Sequence, residues 1–433
     1  MFDIDSQLLR QAKRGILCLA IALTAVSPGA AANTPSANYA DCVRGAWPTI
    51  DDAEKRAAAC SKALQSRALQ PDEVALARLT RGAARYALGE KLVASDDYRQ
   101  ALQHYDAIID PRNPDALNLY RRGASHGGLG QTERALADYS QAIRLDPRRT
   151  FAYLDRGVLL AATARAYSRA IDDFNRVLEL EPDNVPALIA RGSAYSQIGS
   201  QGLAVADLDR AIALQPGASQ AFYHRGTVRT RLGEMGSALQ DYDQAIRLNP
   251  ENTAALISRA GLLSSEGRYD EAIRDLDSAI EVNPESAPAF YNRGYAYFSK
   301  DNYAKAIQDY SFAITLDPNM ANAYNNRCLA RAVAGRDLVR ALADCDAAHM
   351  LAPLSLDVRS TRGFVFLKLG DPELALHEYD AVLQLDPNRA AALYGKGLAL
   401  IAIGKAAEGK REQAAALALD PEAADFFVRY GLK

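Results

Sequence analysis

The chain has 433 residues, 49% of them hydrophobic and 24% charged, the balance of a folded protein rather than a disordered one. Its 50 basic and 53 acidic residues leave a net charge of -3 with no basic run, so the electrostatic footprint of a nucleic-acid-binding protein is missing. This length suggests about three domains, but only for a chain without internal repeats.

Residues 1–32 read as an export signal. Arg10, Lys13 and Arg14 precede the apolar run from Gly15 to Val26, and small residues follow as far as Ala32. The run is short for a bilayer span, which needs about 20 residues. The expectation is a cleaved leader, a mature chain in the periplasm or secreted, and no membrane span in that mature chain. An uncleaved anchor is the alternative.

From residue 72 onward proline keeps time. Pro147, Pro182, Pro216, Pro250, Pro284, Pro318, Pro353, Pro387 and Pro421 fall 34 or 35 residues apart. Alanine holds the same rhythm from Ala135 to Ala375, and so does a small residue (Gly123, Gly157, Gly192, Gly226, Ala260, Gly294, Cys328, Gly363, Gly397). Within a unit, apolar residues recur at three and four, giving two helices with one apolar stripe each. A glycine such as Gly233 separates the helices and suits a left-handed cap. The proline ends the second helix, since it lacks an N–H and restricts the residue before it. No run alternates like a strand. The prediction is an all-α solenoid of antiparallel helix hairpins, because one hairpin cannot bury its own stripe but a stack of them can.

A ring four residues after the alanine (Tyr139, Phe174, Tyr242, Tyr310, Tyr379) fills the space above the small residue, and Leu208 and Leu276 do so in two units. In the first unit Gly82 and Ala101 stand further apart than usual, which reads as an insertion around residues 89–97, with Tyr105 as the ring.

Small residue, alanine, aromatic, alanine and proline at these offsets resemble the tetratricopeptide repeat family over about residues 75–421, as ten units within 72–421. The resemblance implies a right-handed superhelix whose first helices line a concave channel, and a role in binding proteins. The last unit departs from the pattern at Gly409 and Gln413, as a terminal unit with nothing stacked on one side would. Residues 422–433 are expected to form a capping helix, with Phe426, Phe427 and Tyr430 folded back onto the end.

Arginine precedes the small residue in nearly every unit, and an acid precedes the ring. Arg156, Arg191, Arg225, Arg259 and Arg293 therefore pair with Asp173, Asp207, Asp241, Asp275 and Asp309 as a structural ladder, with Glu378 and His104 in the acid's place near the ends. A partly buried guanidinium needs such a partner. A basic ladder built for phosphate would not bring one acid per arginine.

Without Cys18 of the leader, four cysteines remain, an even number that suggests two disulfides in an exported chain. Cys328 and Cys345 occupy the small and ring positions of one unit, which face each other. Cys60 also falls on a ring position, with Cys42 before it, so residues 33–71 read as a degenerate hairpin with its own bridge.

No catalytic residue, cofactor or metal site is predicted. The five histidines fall in different units, and the glycines at 127–130 lie in a helix–helix turn rather than a phosphate-binding loop. The family's inward positions carry over to Tyr223, Tyr291, Tyr295, Asn325, Asn326 and Phe364 as groove candidates, rings for contact area and amides for a peptide backbone. The expected function is a non-catalytic scaffold outside the cytosol holding a protein or peptide partner in that groove. The alternative is an assembly factor of an envelope complex (polysaccharide export, secretion or pilus machinery) that docks through its convex face or termini. The oligomeric state is not legible.

Overall fold

The computed structural model describes residues 37–43 and 50–432 apart from 67, 164 and 336, so the leader 1–32 and Cys18 lie outside the described residues. Among the described residues there are 23 α-helices and no strand. They divide into two compact units, ending at Ala255 and beginning at Leu256.

In the first unit a short hairpin (Ala37–Val43 and Ile50–Gln65) precedes five pairs, from Pro71–Ala87 with Lys91–Ile108 to Ser219–Arg231 with Met235–Leu248. The second unit opens within Thr253–Ser265, which pairs with Tyr269–Val282. Then come Ala287–Ser299 with Tyr303–Leu316, Ala321–Val333 with Leu338–Leu351, Leu356–Leu369 with Pro372–Leu385, and Ala390–Ala402 with Ala406–Leu419. A last short helix runs Asp425–Arg429.

Local chemistry sets these boundaries. The residue before each closing proline is pulled out of the helical region, as at Asp146 (φ -136°) and Asn249 (φ -144°), so the second helix stops there. Several first helices start on a side-chain cap: Asp115, Asn184, Ser286 and Ser355 each accept a hydrogen bond from a first-turn N–H. Between the two helices the chain turns through a left-handed residue, glycine at most turns but Asp301 (φ 58°) in the second unit.

The core lies where paired helices cross. A Cβ at Gly294 would sit 2.8 Å from a ring carbon of Tyr310, whose side chain is fully buried. Gly226 meets Tyr242, Gly157 meets Phe174, and Gly192 meets Leu208 in the same way. The glycine and the ring are therefore one packing element.

The first unit corrects the predicted register. Gly82 lies under Tyr98, not Tyr105, and Arg81 pairs with Asp97 at 2.6 Å. His104 instead contacts Asp72. The extra residues come after the ring: the second helix has 18 residues where its counterparts have 14, and a longer loop follows. The helix crossing tolerates no insertion, whereas the helix end does.

At Gly397 and Gly409 the last pair crosses in backbone contact. A Cβ on Gly397 would lie 2.7 Å from the Gly409 oxygen and 2.6 Å from the Gln413 side chain. The predicted loss of alanine and ring thus makes a closer crossing, with the aliphatic part of Gln413 over the glycine.

Both cysteine pairs stand in disulfide geometry. The Sγ–Sγ distance is 2.14 Å in each, with Cα atoms 4.6 Å apart for Cys42–Cys60 and 5.4 Å for Cys328–Cys345.

Candidate functional site

The five predicted arginine–aspartate pairs are all present, each a fork of two N–H donors on one carboxylate. Arg293 donates to Asp309 at 2.8 Å through both Nε and Nη2. Arg156, Arg191, Arg225 and Arg259 do the same to Asp173, Asp207, Asp241 and Asp275. The third donor reaches back to the preceding hairpin: Arg293 Nη1 to Asp277, Arg225 Nη1 to Asp209, Arg191 Nη1 to Asn175, Arg156 Nη1 to Ser140. Sequence reasoning missed this second partner. Its signal was there, since the residue after each ring is Ser, Asn or Asp from Ser140 to Asp380. Hydrogen bonding to Asp309 raises the pKa of Arg293 against the opposing effect of burial. The guanidiniums of Arg156, Arg191, Arg225 and Arg293 therefore each join three helices, and the forked pairing of all five arginines serves structure rather than phosphate.

The six groove candidates lie on first helices but do not share one environment. Tyr223 is 4% exposed, with its ring 6.3 Å from that of Tyr242, and Phe364 is 1% exposed. Both are core residues, which corrects their reading as open groove positions. Each packs against the ring or the segment that covers it.

Tyr291, Tyr295, Asn325 and Asn326 do come together in the second unit. Asn326 Nδ2 donates to the Tyr291 hydroxyl at 3.2 Å, and Asn325 Nδ2 donates to Asn326 Oδ1 at 3.5 Å. The Tyr291 ring lies 5.9 Å from that of Tyr310 beneath it. Asn292, on the same helix as Tyr291, stands at the register position that Asn326 holds in the next unit. It and Asn325 are buried, and each has a side-chain oxygen without a hydrogen-bond partner. An unmet buried acceptor costs about 1–3 kcal/mol, a cost these two amides carry within the packing. Sequence reasoning had not singled out Asn292, which sits where other units carry Asp155, Ala190 or His224.

The C-terminal segment supplies a second feature. It folds back onto the last pair as expected, and also reaches across earlier first helices of the second unit. The Phe426 ring is 4.9 Å from Phe364, and the Phe427 ring is 5.4 Å from Tyr394. The Tyr430 hydroxyl meets that of Tyr303 at 3.1 Å, 127 residues earlier. Lys368 Nζ donates to the Tyr430 carbonyl at 2.8 Å, placing a cation at the carbonyl end of the short helix. Arg429 pairs with Asp301 at 2.6 Å. Lys368 and Asp301 lie at the C-terminal end of a first helix and in the turn after one, whereas Tyr394 holds the register position of Tyr291 and Asn325.

Among the described residues no group of three or more His, Cys, Asp or Glu is placed to hold a metal ion, and no helix is long and apolar enough to cross a membrane.

Models of the tetratricopeptide repeat match residues 120–187, 189–253 and 361–424 in one form and 287–320 in another, and a TPR repeat model matches 262–301. Together they cover more than half of the chain. DnaJ homolog subfamily C member 3 of Gallus gallus is 32% identical over 97 residues, 22% of this chain and 19% of that protein. Small glutamine-rich tetratricopeptide repeat-containing protein 2 of Mycosarcoma maydis is 28% identical over 111 residues, 26% of this chain and 31% of that one. The matches thus span less than a third of either curated relative. Among solved structures, the Cut9–Hcn1 hetero-tetramer of APC/C is similar over 88% of this chain and 94% of that one, with a TM-score of 0.50 and 14% identity, a likeness of fold alone. YrrB, described as a TPR protein with an unusual peptide-binding site, aligns with 43% of this chain and 95% of its own, at 28% identity and a TM-score of 0.33.

Proposed function

We propose, from the premise that this chain belongs to the tetratricopeptide repeat family, that it is a non-catalytic scaffold working outside the cytosol, where it holds a polypeptide segment against the first helices of its second unit. The observation that carries the reading is the meeting of Asn326 with the Tyr291 hydroxyl across two first helices, where both side chains, like that of Tyr295, are only partly buried. An extended peptide offers backbone groups to such a side-chain amide and apolar side chains to such rings. Two cysteine pairs in disulfide geometry, together with the apolar leader, support an oxidising compartment.

The test is binding of the full chain to an array of unstructured peptides. Replacing Asn326 and Tyr291 by alanine together removes one amide and one ring from that surface, so affinity for the captured peptides should fall about tenfold or more. Unchanged capture by a variant with an unchanged thermal melt would sink the reading.

The assembly-factor reading has one observation of its own. Val339, Met350 and Leu354 are 75%, 83% and 78% exposed, along and just beyond one second helix. An apolar stripe on that face suits docking to another protein. If Met350→Glu abolished incorporation into an envelope complex while peptide capture persisted, this second reading would displace the first.

A further inference from the structure

We infer that the C-terminal segment, residues 422–432, is a tethered ligand, and that the surface beneath it receives a helical partner segment of the same chemistry: two adjacent aromatic residues, a third ring one turn later, and a basic residue between. The inference rests on reading the first helices as a peptide-binding surface.

The contacts are those of a ligand in a receptor. A helix of five residues is too short to hold itself in water, so its order comes from the surface that it lies on. Phe427 is 3% exposed and packs on rings of two first helices, 6.2 Å from Phe364 and 5.4 Å from Tyr394. Phe426 and Tyr430, four residues apart on the helix, bracket Phe364 at 4.9 and 6.4 Å. The polar ends are matched as well. Lys368 closes the carbonyl end, and Asp301 receives Arg429. Asp301 stands where the equivalent turns carry glycine (Gly233, Gly267, Gly335), and it adopts a left-handed φ of 58° there. A carboxylate thus stands in the one place along that row where the tail's guanidinium arrives.

A merely structural cover would seal the end of the stack. This segment packs Phe427 on Tyr394 of the last pair and reaches on as far back as the hairpin of Tyr303. A partner segment of the same chemistry competes with it. A tethered copy acts at an effective concentration of about millimolar, so an outside peptide binds the unmodified chain weakly.

The probe is a fluorescent peptide of residues 422–432. With Phe427 and Tyr430 both changed to serine in the full chain, the tail is released and the receptor surface is left intact. That variant should bind the peptide at least tenfold more tightly than the unmodified chain, and equal weak binding by a variant with an unchanged thermal melt would overturn the inference. A second measurement needs no variant. In the unmodified chain the amides of Tyr430 and Leu432 are held by Phe426 and Phe427 carbonyls. Excess peptide, isotope-labelled so that its fragments are distinguished, should speed their hydrogen exchange, and unaltered exchange at saturation would also overturn the inference. The Asn326-dependent capture described above is read on the same proteins. If that capture persists while the tail peptide fails to bind, only the present inference falls. If the tail peptide binds and that capture is absent, the amide-cluster reading falls instead.

Discussion

Two glycines in first helices of the second unit offer a direct measure of what the crossings contribute. Gly261 has no heavy atom within 4 Å of where its Cβ would be, whereas at Gly294 a Cβ would meet Tyr310 ring carbons at 2.8 and 2.9 Å and the Ala306 oxygen at 3.3 Å. Alanine is a better helix former than glycine by about 1 kcal/mol, so Gly261→Ala should stabilise the chain by roughly that amount. Gly294→Ala has the same gain but must displace a ring that is fully buried, and overpacking of this kind costs about 1–3 kcal/mol. The two variants should therefore differ by about 1–3 kcal/mol, with Gly294→Ala neutral to destabilising. Urea unfolding followed by far-ultraviolet circular dichroism reads this as midpoint shifts of opposite direction or clearly unequal size. Adding Tyr310→Leu to Gly294→Ala restores the combination that the chain already carries as Ala260 and Leu276. The double variant should be more stable than the sum of its parts by about 1 kcal/mol or more. Equal stabilisation by both single variants, with no coupling in the double, would refute the glycine–ring account.

Replacing Cys328 and Cys345 by alanine opens a loop of 17 residues, which should cost about 3 kcal/mol. Thermal melts of the variant and of the unmodified chain should converge once reductant is added, and mass spectrometry of the unmodified chain purified without reductant should find neither Cys328 nor Cys345 as a free thiol. Desolvation pushes the His224 pKa down from 6.5 to about 4. A base whose folded pKa is depressed leaves the unfolded state binding more protons between those values, so stability is full above pH 6.5 and declines as pH falls toward 4. The decline from this group is about 3 kcal/mol at most, and His224→Asn should flatten that part of a pH–stability profile. Burial has the opposite consequence at Asp155, whose carboxyl is pushed well above its usual range although Tyr120 donates to it at 2.8 Å. Its contribution is present at low pH and lost as pH rises through the folded pKa. Asp155→Asn should therefore raise the melting temperature at pH 8 and leave it nearly unchanged at pH 4, and equal loss at both would contradict the assignment.

The sequence by itself determined whatever recurs within one repeat length. The period of 34 or 35 residues, the paired helices, the glycine–ring crossing, the arginine–aspartate fork and the Cys328–Cys345 pairing all join residues inside one hairpin, where helix geometry alone sets the distances. The register of the first unit was misread because proline and alanine counts do not say where along a helix an insertion falls. The requirement that Tyr98 cover Gly82 does. What joins separate hairpins was decided only by the stack: the arginine's second partner, the meeting of Asn325 and Asn326 with Tyr291, and the burial of Phe364. Above all, the path of the last eleven described residues was not legible. Phe426, Phe427 and Tyr430 announce an apolar segment in need of cover. Where they find it depends on side chains more than a hundred residues earlier, at Asp301 and Tyr303, which only the packing of successive hairpins brings within reach.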